Sequence, residues 1–292
     1  MDQLVSTVHN YNSLRSFEPM WAAWTADVSS FDIAFTYTAV CSSVALFGGS
    51  FVYFLVDFQP SLRKYKLQPT RLPTLGLYWK CLKLSLFNQV VLHGPVMLLL
   101  LHVWGDLPTF SAALPLPTPS SMLWQLVLFV LVEDFIFYWC HRLLHWNKIY
   151  KYVHKVHHEF TAPFGLTAVY THPVEELVTM LATLAGPLVC GSHVVCLWLW
   201  LVLRVVETID SHSGYDFPFT WGHFVPVLSG PARHDYHHEK FDCNYGSTLA
   251  FWDWVCGTDK QFRALQRSKA AKGDRAWLDL FDWGTSVRAK EL

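Results

Sequence analysis

Long apolar stretches separate short polar ones along the chain, and their lengths predict membrane helices. Residues 33–56 and 84–105 contain no charged side chain, and residues 122–140 are apolar except for two acidic residues near their end. A helix of about 20 apolar residues crosses the hydrocarbon layer of a bilayer. Each of the three stretches is therefore predicted to form a transmembrane helix.

A fourth apolar stretch, residues 177–203, is interrupted by Gly186-Pro187 and by Gly191. Because proline and glycine break helices, this stretch predicts a hairpin or two short spans instead of one straight helix. The whole pattern predicts an all-α integral membrane protein with about four transmembrane helices, arranged as two hairpins.

The polar connections predict the orientation of these helices. Between the first two stretches lie six basic side chains: Arg63, Lys64, Lys66, Arg71, Lys80 and Lys83. Short basic loops face the cytosol, whereas residues 104–121 carry four prolines and no Lys or Arg, as in a lumenal loop. The third helix then brings residues 141–158 to the cytosolic side, and the hairpin returns the chain there. We therefore predict a cytosolic helical cap.

These boundaries divide the chain into four parts. Residues 1–30 are predicted to form a lumenal or peripheral segment, and 31–120 a transmembrane hairpin with its basic cytosolic connector. Residues 121–262 are predicted to form the main domain, and 263–292 a polar tail.

The composition agrees with a membrane protein and excludes other classes. The chain is 52% hydrophobic and only 15% charged, against about 25% charged in soluble domains. A net charge of −1 and the lack of any Lys/Arg-rich run argue against nucleic acid as a partner. The seven cysteines form no CxxC pair, so we interpret them as structural thiols.

Histidines recur in three clusters with helical spacing. Residues 141–158 contain five of them, and residues 234–238 repeat the HxxHH pattern. On a helix, positions i, i+3 and i+4 share one face, where imidazoles can converge on a metal ion. The eight clustered histidines are His141, His145, His154, His157, His158, His234, His237 and His238.

Eight imidazoles are too many for one tetrahedral site and suit two metals. His212 and His172 follow or adjoin apolar stretches, so they are candidate additional ligands. The remaining five histidines are isolated and are predicted to be structural: His9, His93, His102, His193 and His223.

Metal-bound imidazoles need a group that holds their second ring nitrogen, commonly a carboxylate. Asp134, Glu207 and Asp235 are the candidates for this role, because acids in or beside apolar helices are costly unless paired. Glu207 follows Arg204 by three residues, so a simple ion pair within one helix is an equal alternative for it.

The clusters HRLLH, HKVHH and HDYHH resemble the three histidine boxes of the fatty acid hydroxylase superfamily of membrane di-iron oxygenases. Their flanking sequences are similar to the sterol C4-methyl oxidase branch: KYKLQP, IYKYVHKVHHEFTAPFG, YTHPVEE and the run from NYGS to GTDKQF. The HSGYDFP and EKFDCNYG segments also resemble the cholesterol 25-hydroxylase branch.

The resemblance implies that residues 121–262 are the fatty acid hydroxylase catalytic domain. It also implies two iron ions per chain, which zinc can replace on purification, and oxidation of the C4-methyl group of 4-methylsterols. It further implies O₂, electrons from NAD(P)H through cytochrome b5 and its reductase, and a multi-pass place in the endoplasmic reticulum membrane with the active site facing the cytosol. Phe164 and Tyr170, which lie close to the boxes, are predicted to contact the substrate. The oligomeric state is left open.

Two other functions compete with this one. Another lipid hydroxylase, acting on a sterol side chain, a fatty acyl chain or a sphingoid base, would keep the same metal site. A metal transporter or sensor would use the histidines differently, but transporters place ionisable residues near the midplane of their spans. Here the clusters follow the spans, which disfavours transport.

Overall fold

The computed structural model describes residues 14–103, 110–225 and 227–273, and helices with short turns form almost all of this part. No strand forms among these residues, which contain only isolated bridges. The helices are α1 (Glu18–Thr25), α2 (Ser30–Asp57), α3 (Leu75–Leu99, continuing to Val103), α4 (Pro119–Leu144), α5 (Asn147–Tyr150), α6 (Pro173–Cys190), α7 (Val194–Ser211), α8 (Trp221–Phe224), α9 (Gly230–Lys240), α10 (Phe251–Cys256) and α11 (Lys260–Ala271).

Four of these helices, α2, α3, α4 and α6, are long and apolar enough to cross a membrane. Their surfaces expose large hydrophobic side chains, such as Val44, Leu123 and Val189, whose exposure reaches 81%. Polar side chains on the same helices, such as Ser50 and Ser85, are instead buried. This distribution suits a hydrocarbon surrounding, in which apolar surface costs nothing. The predicted all-α membrane architecture with four spans is confirmed.

The interrupted stretch forms the predicted hairpin of α6 and α7. Gly191 ends α6 in the left-handed conformation, with φ of 55°, which glycine adopts without strain. His193 then caps α7, since its Nδ1 accepts a hydrogen bond from the backbone N–H of Val195. Only α6 of the two helices counts among the four candidate spans, because α7 carries several charged residues in its second half.

The α6–α7 hairpin packs against α4 through a continuous apolar cluster. Phe129 of α4, Leu184 of α6 and Leu197 and Trp200 of α7 form its buried centre. Gly186 permits the close approach of α4 and α6, because a Cβ at this position would lie 2.9 Å from the Cα of Phe129.

The seven cysteines are free, as predicted.

Contacts between the connections show which helix ends lie together. Residues 110–118 reach the tip of the α6–α7 hairpin, where the Ser111 N–H donates to the Ser192 carbonyl at 3.2 Å. At the other end, the Leu67 N–H of the basic connector donates to the Gly214 carbonyl at 2.9 Å. The connector and the residues that follow α4 and α7 therefore share one end of the bundle. This agrees with the predicted return of the chain through the hairpin, while the cytosolic assignment of that end stays a prediction.

The four predicted domain boundaries also stay predictions. Of the predicted terminal parts, residues 1–13 and 274–292 lie outside the described residues, as does His9.

We expect Gly186→Ala to destabilise the protein by about 1–3 kcal/mol, because the new methyl group collides with the backbone of α4. Thermal unfolding in detergent measures this loss. Gly48→Ala on α2 is the matched control, since a Cβ there meets nothing within 4 Å. Replacing a helical glycine by alanine at an open position is neutral or stabilising. Equal unfolding temperatures for the two variants would contradict the proposed close approach.

Candidate metal centre

The histidine clusters reach one end of the bundle from four separate parts of the chain. His141 lies in the last turn of α4, and His145 caps its C-terminus. The turns after α5 carry His154, His157 and His158. His212 is the C-cap residue of α7, and α9 carries the third cluster along one face.

The structure brings these side chains together as two groups that could each hold a metal ion. The first group contains His141, His145, His154, His158 and His237. The second contains His157, His212, His234 and His238. Within each group, the candidate ligand atoms all lie within 4.8 Å of one another. All eight box histidines and His212 therefore gather as the sequence predicts.

Backbone carbonyls fix the orientation of five of the nine rings. In each of these rings the Nδ1–H donates to a carbonyl oxygen: His141 to Tyr245 at 2.9 Å, His157 to Tyr170 at 3.4 Å, His212 to Thr208 at 2.8 Å, His237 to Cys243 at 2.6 Å and His238 to Phe160 at 3.0 Å. A neutral imidazole has a single N–H, so the Nε2 of each of these rings carries a lone pair. The lone pairs face the interior of the two groups.

The donor set therefore fits metal ions. The Nε2 atoms of His157 and His212 lie 3.2 Å apart, although both rings use their only N–H at Nδ1. Two lone pairs at this distance repel each other unless a cation lies between them. A similar approach joins His141 and His154, at 3.1 Å. Imidazole nitrogen is a ligand for iron, zinc and copper alike.

Burial keeps the histidines outside the membrane-spanning segments neutral. It lowers the pKa of His157 to about 4, and burial together with the neighbouring imidazoles His141 and His157 lowers the pKa of His145 to about 2. The pKa of His234, His237 and His238 is well below the ordinary value for the same reasons. Because only neutral imidazole binds a metal, the rings are ready to act as ligands at neutral pH.

The carboxylates predicted to hold the histidines contact other groups in the structure. Asp134 accepts a hydrogen bond from the Leu249 N–H, and Asp235 accepts one from the Gln68 amide. Glu207 pairs with Arg204 of its own helix at 2.5 Å, which is the alternative that the spacing left open. Among the described residues, no hydrogen bond or ion pair joins these three side chains to a ring of the two groups, and backbone carbonyls hold five of the nine rings instead.

Glu175 is the carboxylate that does approach a ring, with Oε2 2.9 Å from Nδ1 of His154. Asp253 acts one step further away, because it accepts hydrogen bonds from the N–H groups of Tyr245 and Gly246. It thereby fixes the loop whose carbonyl orients His141. The sequence could have indicated that Glu175 approaches a histidine ring, because it lies in the HPVEE segment. The carbonyl partners of the other rings have no such indication in the sequence.

The structure does not bring His172 to either group. It caps the N-terminus of α6, where its Nδ1 accepts a hydrogen bond from the Val174 N–H at 3.2 Å. The isolated histidines that the structure describes also lie outside the two groups. His223 lies 2.8 Å from Asp216, and His93 lies beside Glu176.

A cavity of about 490 Å³ leads to the histidines. Helices α2, α3, α4, α6 and α7 form its walls, with apolar side chains such as Leu46, Met97 and Phe137. His141 and His154 of the first group and His157, His212 and His234 of the second line it as well. The cavity thus gives an apolar molecule access to both groups from between the membrane helices.

Phe164 and Tyr170, predicted to contact the substrate, do not line this cavity. The Phe164 ring packs against Tyr78 of α3, with centroids 4.5 Å apart, and the Tyr170 ring packs against Phe160. Both belong to an apolar cluster that holds the loop after the second box against α3. Phe164 and Tyr170 are close to the histidine boxes in sequence, but their rings lie outside the cavity.

Buried imidazoles in two groups, at the end of a bundle of membrane-type helices and open to an apolar cavity, define a class of integral membrane proteins with histidine clusters that could bind metal. A model of the fatty acid hydroxylase family matches residues 126–258, which include all nine histidines. The chain belongs to this family.

Similar proteins agree with the family and extend the likeness over most of the chain. A methylsterol monooxygenase of Arabidopsis thaliana is 38% identical over 260 residues, which cover 86% of this chain and 95% of that protein. A C-4 methylsterol oxidase of Schizosaccharomyces pombe is 35% identical and covers 85% of both chains. A very-long-chain aldehyde decarbonylase of Oryza sativa is 37% identical over 85% of this chain and 94% of its own length. No solved structure matches the chain.

We expect the purified protein to contain about two metal ions per chain, one for each histidine group. His212→Ala removes one of four ligands from the second group, so its metal content should fall to about one. His172→Ala is the matched control and should keep both ions, because His172 only caps α6. Elemental analysis of detergent-purified protein measures the content. If His172→Ala lost metal, or if His212→Ala kept both ions, the assignment of one metal ion to each histidine group would be contradicted.

Proposed function

We propose that this protein is an O₂-dependent membrane monooxygenase that oxidises the C4-methyl group of 4-methylsterols. The observation that carries this proposal is the apolar cavity that ends at both histidine groups. A sterol is an apolar molecule that lies in the bilayer, and the cavity lies between helices that cross it. The names of the relatives from plants and fungi support the choice of substrate.

We propose iron as the resident metal, with the nine histidines as its ligands. Two irons held there supply the redox chemistry with O₂ that oxidation of an unactivated methyl group requires. The protein supplies the rest: the carbonyls and Glu175 orient the rings, burial keeps them neutral, and the apolar walls exclude water. Zinc suits the same imidazoles and can replace iron during purification.

We further propose that electrons reach this site from NAD(P)H through cytochrome b5 and its reductase. Lys148, Lys151 and Lys155 are exposed beside His154 and form a basic surface close to the first group. A basic surface favours an acidic redox partner and speeds its association. This end of the bundle then faces the cytosol, and the family's sterol chemistry suits the endoplasmic reticulum membrane.

A second candidate function keeps the dimetal site and changes the substrate. The likeness to an aldehyde decarbonylase of rice favours a long-chain aldehyde as one alternative. Hydroxylation of a sterol side chain, of a fatty acyl chain or of a sphingoid base is another. The histidine groups serve each of these reactions equally well, so the substrate itself must be tested.

We expect the chain to restore growth of a yeast strain that lacks its own C4-methyl oxidase, together with the loss of accumulated 4,4-dimethylsterols. Sterol analysis by mass spectrometry measures the effect. The His158→Ala variant, changed in the first group, should restore neither, while His172→Ala should restore both. Failure of the unchanged protein to restore growth, with 25-hydroxycholesterol appearing in cells fed cholesterol or alkanes appearing in cells fed long-chain aldehydes, would transfer the assignment to the second candidate.

A further inference from the structure

A polar cluster lies on the wall of the apolar cavity, outside the two histidine groups. Its members are Gln89 and His93 of α3, Thr171, and Glu176 in the first turn of α6, and all four line the cavity. Glu176 Oε1 lies 2.8 Å from His93 Nε2, and the Thr171 hydroxyl donates to Glu176 Oε2. His93 Nδ1 lies 3.0 Å from the Gln89 amide oxygen.

Local structure aims this cluster at the cavity. Residues Asn88–His93 form a π-helical turn within α3, a deviation that often accompanies functional sites. Asn88 donates a hydrogen bond to the Thr171 carbonyl at 3.2 Å and so fixes the residue that holds Glu176. Glu176 is only 6% exposed. A buried carboxylate in a membrane-spanning helix is costly, which marks it as a candidate functional group.

The cluster lies next to both histidine groups. Glu175, the neighbour of Glu176 in sequence, approaches His154 of the first group at 2.9 Å. Tyr170, the neighbour of Thr171, accepts the hydrogen bond from His157 of the second group. Glu176 also lines the same cavity as histidines of both groups. A substrate atom held by Glu176 therefore lies in the cavity whose end would carry out the oxidation.

The chemistry of the cluster suits a hydroxyl group. Two adjacent carboxylates, Glu175 and Glu176, repel an anionic headgroup, and the cavity's Arg204 is already paired with Glu133 and Glu207. A hydroxyl donates a hydrogen bond to the Glu176 carboxylate and can accept one in return from the Gln89 amide N–H, since both ring nitrogens of His93 already face Gln89 and Glu176. In an apolar cavity a single such pair fixes the orientation of a lipid.

We propose that Glu176, together with the Gln89 amide, binds the 3-hydroxyl of the sterol and so presents the adjacent C4 carbon to the metal end of the cavity. This proposal rests on the proposed function. C3 and C4 are bonded to each other, so holding the C3 oxygen restricts where the C4-methyl groups can lie. Glu176 then determines specificity for lipids with a free hydroxyl next to the methylated carbon.

The test compares two ligands that differ only at this oxygen: a 4,4-dimethylsterol with a free 3-hydroxyl, and its 3-O-methyl ether. Binding to the metal-loaded protein in nanodiscs is measured by tryptophan fluorescence. For the unchanged protein we expect the free hydroxyl to bind about 10- to 100-fold more tightly, as for a hydrogen bond to a charged acceptor. In Glu176→Leu this ratio should fall below about threefold.

The matched control is Gln125→Leu, which removes a buried polar side chain of α4 whose amide donates to Ser121, away from the cavity. It should keep the full ratio. Glu176→Gln retains the shape of the side chain without its charge, so we expect an intermediate binding ratio. This variant tests the proposal even if Glu176→Leu folds poorly. Metal content should be unchanged in each variant, because Glu176 belongs to neither histidine group.

The outcomes separate this proposal from the proposed function. An unchanged ratio in Glu176→Leu, or no preference for the free hydroxyl in the unchanged protein, overturns the role of Glu176 while oxidation at C4 can still stand. An unchanged ratio is expected if the Glu176–His93 pair only holds α3 and α6 together and does not contact the substrate. Preference for the hydroxyl that depends on Glu176, without oxidation at C4, keeps the hydroxyl site and rejects the C4-methyl reaction.

Discussion

Mutual repulsion of buried lone pairs is the constraint on which this structure depends. Nine neutral imidazoles are concentrated at one end of a helix bundle, and rings such as His157 and His212 turn unprotonated nitrogens toward each other. Five of the rings donate their single N–H to a backbone carbonyl, and the other four contact neighbouring rings of the two groups. Such an arrangement favours the binding of cations. In their absence the lone pairs repel each other, and contacts with the rest of the chain keep the rings together.

A layer of buried polar contacts provides this hold. Asp253 ties down the loop that orients His141, and Asp134 fixes the same loop four residues later, at Leu249. Beneath the residues that follow His212, Asp57 accepts hydrogen bonds from Lys66 and from the hydroxyl of Tyr215. Asp253 and Asp134 thus act on the backbone of one loop, and a carbonyl of that loop in turn orients a ring.

The sequence predicts the membrane helices and the gathered histidines because both follow from short-range rules. Length and lack of charge define a span, and i, i+3, i+4 spacing on α9 puts His234, His237 and His238 on one side of a helix. The partners of the rings were not predictable, because a carbonyl such as that of Cys243 carries no information in its side chain. The residues that line the cavity were not predictable for a related reason: five helices build it, and Phe164, close in sequence to the second box, packs elsewhere.

The distribution of the histidines along the chain has a consequence for biogenesis. Four members of the first group precede the α6–α7 hairpin and only His237 follows it, whereas the second group has His157 before the hairpin and three members after it. During synthesis, the first group is nearly complete while the hairpin still awaits insertion. The second group exists only after insertion has brought α9 back to the same side, so correct membrane integration itself becomes a precondition for a complete centre.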